Sequence, residues 1–99
     1  MSDTLAKTLP SSAALFAIKR SRSDAYHHAN EADFYARYGN HNQARDHVDK
    51  SVAAAARATE TLSRANPEID PNHYEQAVEQ TRRALIRAEK AQELAGQLV

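Results

Sequence analysis

Two sets of small residues separated by a turn constrain the fold of this chain more than any other feature of its sequence. Alanines recur before the turn at positions 25, 29, 32 and 36. After the turn, residues at similar spacing are Ala44, Val48, Val52, Ala55, Thr59 and Leu62. Spacings of three and four residues place each set on one face of a helix. Gly39 can end the first helix in the left-handed conformation without a steric penalty. The stretch 25–62 therefore predicts two closely packed antiparallel helices.

Composition favours an all-α fold with a thin core. The chain has two glycines and three prolines among its 99 residues, and its few β-branched residues leave little sequence for strands. Much of the 41% hydrophobic content is alanine, including the run 53–56. Alanine favours helices and lets them approach closely, but each alanine buries little apolar area. A small domain with such a core can gain stability from a second copy or a bound partner.

Start and stop signals divide the chain into three helices of similar length, each about 40 Å long. Ser11 or Ser12 is the predicted N-cap of the first helix. Pro67 disfavours helix in the residue before it and so ends the second. An N-cap at Asp70 followed by Pro71 is a typical start for the third. The predicted helices cover about 12–38, 41–65 and 71–98.

Short connectors between these helices favour an antiparallel, up-down-up three-helix bundle over residues 11–99. Residues 1–10 are predicted to form a short, partly ordered N-terminal arm with Leu5 and Leu9 as its anchors. Within the third helix, Glu79 and Arg83 are placed for an ion pair at i,i+4 spacing. The alternative architecture is a hairpin that pairs with a second copy to form a larger bundle.

The residues around the turn resemble a tetratricopeptide-type unit. The small, aromatic, turn, small and bulky positions of that pattern are occupied by Ala32, Tyr35, Gly39, Ala44 and Val48. The stretch 83–90 is also similar to the last helix of MIT domains, which are three-helix bundles of comparable size. The resemblance implies a module that binds a peptide or helix of another protein and performs no chemistry. By the comparison with MIT domains, the groove would be lined by Leu85, Ala88 and Ala91.

The first helix has a second apolar face. At 100° per residue, Phe34 and Tyr38 lie opposite the alanine face, with Tyr35 beside them and Phe16 on the same side nearer the start of the helix. Large aromatic side chains on such a face are typical of interfaces. These four residues are therefore predicted to bind a partner protein or a second copy of the chain. The alternative is that the arm folds back and covers the rings with its leucines.

A histidine-rich stretch of the first helix gives a metal-binding alternative. Its candidate ligands lie three or four residues apart: Asp24, His27, His28 and Glu31. Across the turn, His47 is expected at nearly the same height as Asp33. A di-metal carboxylate site, however, needs inward-facing Glu-x-x-His pairs on two helices. Here the order is reversed and the ligands project away from the alanine face, so a solvated polar face is favoured and no metal or other cofactor is predicted.

Basic clusters allow a third class of function, a small helical regulator that contacts nucleic acid. The candidate contacts are Arg20, Arg22, Arg82 and Arg83. Bases are read by such side chains on a helix that enters the major groove. The formal net charge is zero, and long helices joined by tight reversals do not form a helix-turn-helix. Nucleic acid is therefore not the predicted partner.

The sequence carries no signature of catalysis, membrane insertion or export. It has no cysteine, which excludes thiolate metal ligands and disulfides, and no glycine-rich phosphate loop or serine with a plausible base. It is therefore not predicted to be an enzyme. No apolar run reaches the roughly 20 residues that cross a bilayer, and the N-terminus lacks the pattern of a signal peptide. We expect a cytoplasmic protein-interaction or adaptor module.

Overall fold

The structure, a computed structural model, describes residues 7–97. Most of this part is three long helices: α1 (Ser11–Arg37), α2 (His41–Ser63) and α3 (Tyr74–Gly96). Each helix packs against the other two, and the molecule measures 48 × 27 × 15 Å. The predicted all-α, up-down-up three-helix bundle is confirmed. Leu5 and Leu98, predicted to belong to the arm and the third helix, lie outside the described residues.

Alanine forms most of the contact between the helices. At the middle of the bundle, one alanine of α1 packs with two of α2 and two of α3, namely Ala25, Ala54, Ala55, Ala84 and Ala88. Small side chains at a helix contact shorten the distance between the helix axes. The largest fully buried side chain is Ile18, in the cluster nearest the start of α1. The core is therefore narrow and contains few large apolar groups.

Two buried hydroxyls in this core are satisfied by backbone carbonyls. The Ser51 hydroxyl of α2 donates a hydrogen bond of 2.7 Å to the carbonyl of Ala25 on α1. The Thr81 hydroxyl donates one of 2.8 Å to the carbonyl of Ala77 within α3. A buried hydroxyl without a partner would destabilise the fold. The Ser51 bond instead joins α1 to α2 at the level of the central alanines.

A two-residue parallel sheet joins the start of the chain to the connector between α2 and α3. Strand β1 (Leu9–Pro10) pairs with strand β2 (Ala65–Asn66). The backbone N–H of Ser11 donates to the carbonyl of Ile69 at 2.9 Å, and the Ser11 hydroxyl donates to the carbonyl of Asn66 at 3.0 Å. We call these contacts between residues 9–11 and 64–69 the clasp. Of the predicted arm, residues 7–10 are described, and Leu9 is their anchor against the core.

Contacts with the connector explain why the serine cap predicted for α1 is wrong and why the side chain of Asp70 caps no helix. Ser11 is the first residue of α1 and its hydroxyl bonds the connector, while the hydroxyl of Ser12 donates to the carboxylate of Asp70. The N-cap position is Pro10, which makes no side-chain cap bond. Asp70 occupies the predicted N-cap position with Pro71 directly after it, but the segment that they begin is a 3-10 turn, Pro71–His73, which leads into α3. Asp70 has a left-handed φ of 56°, and its side chain makes no cap bond.

The turn between α1 and α2 forms as predicted. Gly39 has φ 79°, in the left-handed region where glycine is favoured. The side chain of Asn40 caps α2 by accepting a hydrogen bond of 3.2 Å from the backbone N–H of Gln43. This cap satisfies one of the free N–H groups at the start of the helix. The turn is therefore specified by adjacent residues alone.

Candidate protein-interaction surface

An exposed pair of aromatic rings lies at the end of α1, next to this turn. Phe34 is 52% exposed and Tyr38 is 72% exposed. Their ring centroids are 4.8 Å apart, and Tyr35, which is half-buried, meets Phe34 edge to face at 5.4 Å. We call Phe34, Tyr35 and Tyr38 the aromatic patch. Two large rings in contact with each other and with solvent form an apolar surface that a second protein could bury.

The described part of the N-terminal arm does not cover the aromatic patch. Leu9 packs against the core cluster of Ala14, Leu15 and Ile18, at the opposite end of α1. At 1.5 Å per residue, that end of the helix is about 35 Å from Phe34. The alternative open from the sequence was that the arm covers the rings with Leu5 and Leu9. The geometry excludes this for Leu9, and Leu5 lies outside the described residues.

Phe16 shares a helix face with the aromatic patch but lies far from it. It is 69% exposed and stands 18 residues before Phe34, which corresponds to about 27 Å along the helix. Eighteen residues are five full turns, so both rings point in the same direction. The four predicted interface residues therefore form one patch and one separate ring on a common face.

Of the three residues predicted to line a second binding groove, Leu85, Ala88 and Ala91, two are buried inside the bundle. Ala88 is buried against the central alanines, and Ala91 is buried with Ala29 and Val48. Of the three, only Leu85 is exposed. The alanines of α3 are spaced for helix packing, so they are used within the bundle and cannot line a groove. This prediction from the resemblance to MIT domains is wrong for the two alanines.

A cluster of three stacked rings connects α1 and α2 beside the aromatic patch. The Nδ1 atoms of His28 and His47 are 3.0 Å apart, so one ring donates a hydrogen bond to the other. The ring of Tyr35 also stacks on that of His47, with ring centroids 5.4 Å apart. The sequence interpretation had not paired the two histidines, although one stands on each helix of the predicted hairpin. The cluster fixes the orientation of Tyr35, and with it one edge of the patch.

The electrostatic environment of His28 opposes its protonation. Burial lowers the pKa of His28 below its ordinary value, and the positive charges of His47, His27 and Lys50 lower it further, while Asp24 acts in the opposite direction. A proton on both rings would also remove the hydrogen bond between them, since neither ring could then accept. The folded state therefore favours the neutral form of the His28 ring.

We expect the protein to lose stability on mild acidification through His28. The folded state binds the proton of His28 less readily than the unfolded chain, so stability from this group is full above the ordinary pKa of 6.5 and declines as the pH falls below it. Melting followed by circular dichroism should show a lower midpoint at pH 5.5 than at pH 7.5. His28→Gln should flatten this dependence. His41→Gln, outside the cluster, controls for the loss of a histidine; an equal flattening there would contradict the assignment.

The four candidate metal ligands are not assembled into a site. His28 is engaged with His47, and the carboxylate of Asp24 accepts a hydrogen bond of 3.4 Å from Arg57 on α2. His27 meets His28 edge to face, and Glu31 is half-buried on the same helix. Across residues 7–97, no group of three or more histidine, aspartate or glutamate side chains is placed to hold a metal ion.

Asp33 faces α3 and not the histidine of α2 with which it was considered. Its carboxylate accepts a hydrogen bond of 2.8 Å from Arg87, whose guanidinium also donates to the side chain of Asn30 at 3.0 Å. Arg87 is the most buried partner of any ion pair among the described residues. This interaction joins α1 to α3 close to the aromatic patch.

Three of the four arginines considered for nucleic acid are engaged within the protein. Arg82 and Arg83 both bind the carboxylate of Glu79, at 2.8 and 2.9 Å, and their hydrogen bonds lower the pKa of Glu79. The predicted Glu79–Arg83 pair is thus confirmed. Arg22 lies over the ring of Tyr26, 5.1 Å from its centroid. Within the described chain, Arg20 is exposed and makes no ion pair.

Open hollows of about 280, 340 and 400 Å³ follow the seam between α1 and α3. The hollow of about 340 Å³ is lined by charged and polar side chains such as Lys19, Arg22 and Gln80.

None of the helices in the described residues is both long enough and apolar enough to cross a membrane. No protein-family model, no curated protein and no solved structure matches the chain.

Proposed function

We propose that this protein is an interaction module that docks onto another protein surface through the aromatic patch. The observation that carries the proposal is the exposure of Phe34 and Tyr38 on a helix face that no other described element covers. Burying the exposed part of each ring would contribute on the order of 1–2 kcal/mol. Aromatic side chains of this kind are often the dominant contributors to binding energy in protein interfaces.

The arrangement of the rings supports the same function. Phe34 touches both Tyr35 and Tyr38, and Tyr35 is held by its stacking on His47. Side chains that are already ordered lose less conformational entropy when a partner binds. Each tyrosine also offers a hydroxyl that can donate a hydrogen bond at the rim of an interface.

The thin core is a further argument for a protein that binds a partner. The buried residues of the described bundle are mostly alanines, and a small domain with little buried apolar area is only marginally stable. A partner that binds the folded state and not the unfolded state raises stability by mass action. Docking at the aromatic patch would therefore also stabilise the bundle that presents it.

Site-specific photo-crosslinking tests the proposal in cells that express the chain. A photo-reactive amino acid replaces Tyr38, and irradiation should give a discrete product larger than the monomer. The matched control carries the same group in place of Ile86, which is 42% exposed on α3. Phe34→Glu in the first chain should abolish the product, because the charge prevents burial of the patch. Equal products from positions 38 and 86, or none from position 38, would refute docking at the patch.

A further inference from the structure

The outward face of α1 carries a regular stripe of residues between Phe16 and the aromatic patch. Its members are spaced alternately by four and three residues, the repeat of a helix seam that packs against another helix. Each of them is exposed in the monomer. The stripe consists of Phe16, Arg20, Ser23, His27, Asn30 and Phe34.

This stripe is self-complementary when it is read in opposite directions. Phe16 and Phe34 are both nine residues from Ala25, and the intervening members are also placed in pairs equidistant from it, at 20 with 30 and 23 with 27. Two antiparallel copies that meet through this face, with a two-fold axis at the height of Ala25 along the helix, would therefore place a ring against a ring at each end. Small or polar residues would meet at the centre. Such a surface satisfies the condition for an isologous dimer.

One charged residue of the stripe, Arg20, and one beside it, Glu31, favour this same orientation. Neither Arg20 nor Glu31 makes an ion pair within residues 7–97. Glu31 directly follows Asn30, the position opposite Arg20 in the antiparallel alignment. Each Arg20 would therefore face the Glu31 of the other copy, and symmetry gives two such pairs. A parallel alignment would instead set Arg20 against Arg20, which is repulsive.

We infer that the occupant of the aromatic patch is a second copy of this chain, packed antiparallel along α1 with Phe16 of each copy against Phe34 of the other. This inference rests on the proposed function and adds the partner and its orientation. The formal net charge of zero means that association is not opposed by overall repulsion. The antiparallel arrangement also gives Phe16, which lies outside the patch, a place in the interface.

The inference is tested by exchanging the charges at positions 20 and 31 and measuring the dissociation constant of the dimer by sedimentation equilibrium of the full chain. The wild-type protein should form a dimer. Arg20→Glu should raise the dissociation constant of the dimer about tenfold, because two attractive pairs become two repulsive ones. Glu31→Arg should have a similar effect, and the double variant Arg20→Glu with Glu31→Arg should return to within about threefold of wild type. Circular dichroism of each variant checks that helix content is retained.

Disulfide trapping measures the orientation directly, because the natural chain has no cysteine. Chains with Arg20→Cys mixed with chains with Glu31→Cys should form a disulfide-linked heterodimer under mild oxidation. Neither chain alone should do so to a comparable extent. A dominant product from Arg20→Cys alone would mean a parallel pair and would overturn the inference.

The outcomes separate this inference from the proposed function. A monomeric wild-type protein that still gives a photo-product with a different chain at position 38 would refute the second copy and retain the interaction module. A dimer that Phe34→Glu disrupts, but in which exchange of the two charges does not restore affinity, would refute the antiparallel register. A dimer unaffected by Phe34→Glu and without a photo-product at position 38 would refute both.

Discussion

Ala55→Asp should leave the chain largely unfolded at room temperature. Ala55 is 2% exposed and packs among the central alanines of all three helices. A carboxylate there would be buried without a partner, and the close contact of the helices leaves no space for its atoms. The expected cost is roughly 5 kcal/mol, comparable to the whole stability of a small domain. Far-ultraviolet circular dichroism should show loss of most of the helical signal.

The matched control for this substitution is the next residue. Ala56 stands in the same alanine run but is exposed, so Ala56→Asp makes the same chemical change without burying the charge. It should lower stability by less than about 1 kcal/mol, mainly through the poorer helix propensity of aspartate. Equal melting curves for the two variants would mean that the central contact of the three helices does not exist as described.

Ile18→Ala should have the second largest effect. Ile18 is the largest of the fully buried side chains, in a cluster whose other members are mostly alanines. Its truncation leaves a cavity that neighbouring alanines are too short to fill, and such changes cost about 2–5 kcal/mol. Urea unfolding should show a midpoint shifted well below that of the wild type, with little change in slope.

Ile86→Ala provides the comparison for this prediction. The same side chain is removed at a position that is 42% exposed on α3, so little buried area is lost. Its urea midpoint should stay close to that of the wild-type protein. An Ile18→Ala midpoint as high as that of Ile86→Ala would show that the cluster at the start of α1 contributes little to stability.

The helices and their order could be predicted from the sequence because local residues specify them. Alanines at helical spacing define the packed faces, and Gly39 with Asn40 ends one helix and caps the next. These signals act within a few residues of one another. Proline at position 67 likewise separates the second helix from the third. The bundle topology then followed from the short connectors.

The clasp and the histidine pair could not be predicted because both join residues distant in sequence. Ser11 bonds a carbonyl 55 residues away, and His28 meets a ring 19 residues away. The serines at the start of α1 and the aspartate before Pro71 both carried strong local signals for a helix N-cap. The Ser12 hydroxyl and the Asp70 carboxylate bond each other instead of capping a helix, although Asp70 keeps the N-cap position before Pro71.

The candidate surface was predictable in part. Counting 100° per residue placed Phe34 and Tyr38 opposite the packed face of α1, and both rings are exposed. The same counting applied to α3 would have placed Ala88 and Ala91 on its packed face with Ala84. The resemblance to a domain family directed attention to a groove there instead. Periodicity within the chain was the better guide to which residues remain available.

The clasp has a consequence for how the molecule opens. Backbone N–H groups of Leu9 and Ser11 bond the carbonyls of Arg64 and Ile69, so these amide hydrogens can exchange with water only when residues 9–11 and the connector separate. Hydrogen exchange at these two amides therefore measures how often the start of the chain separates from the connector that leads to α3.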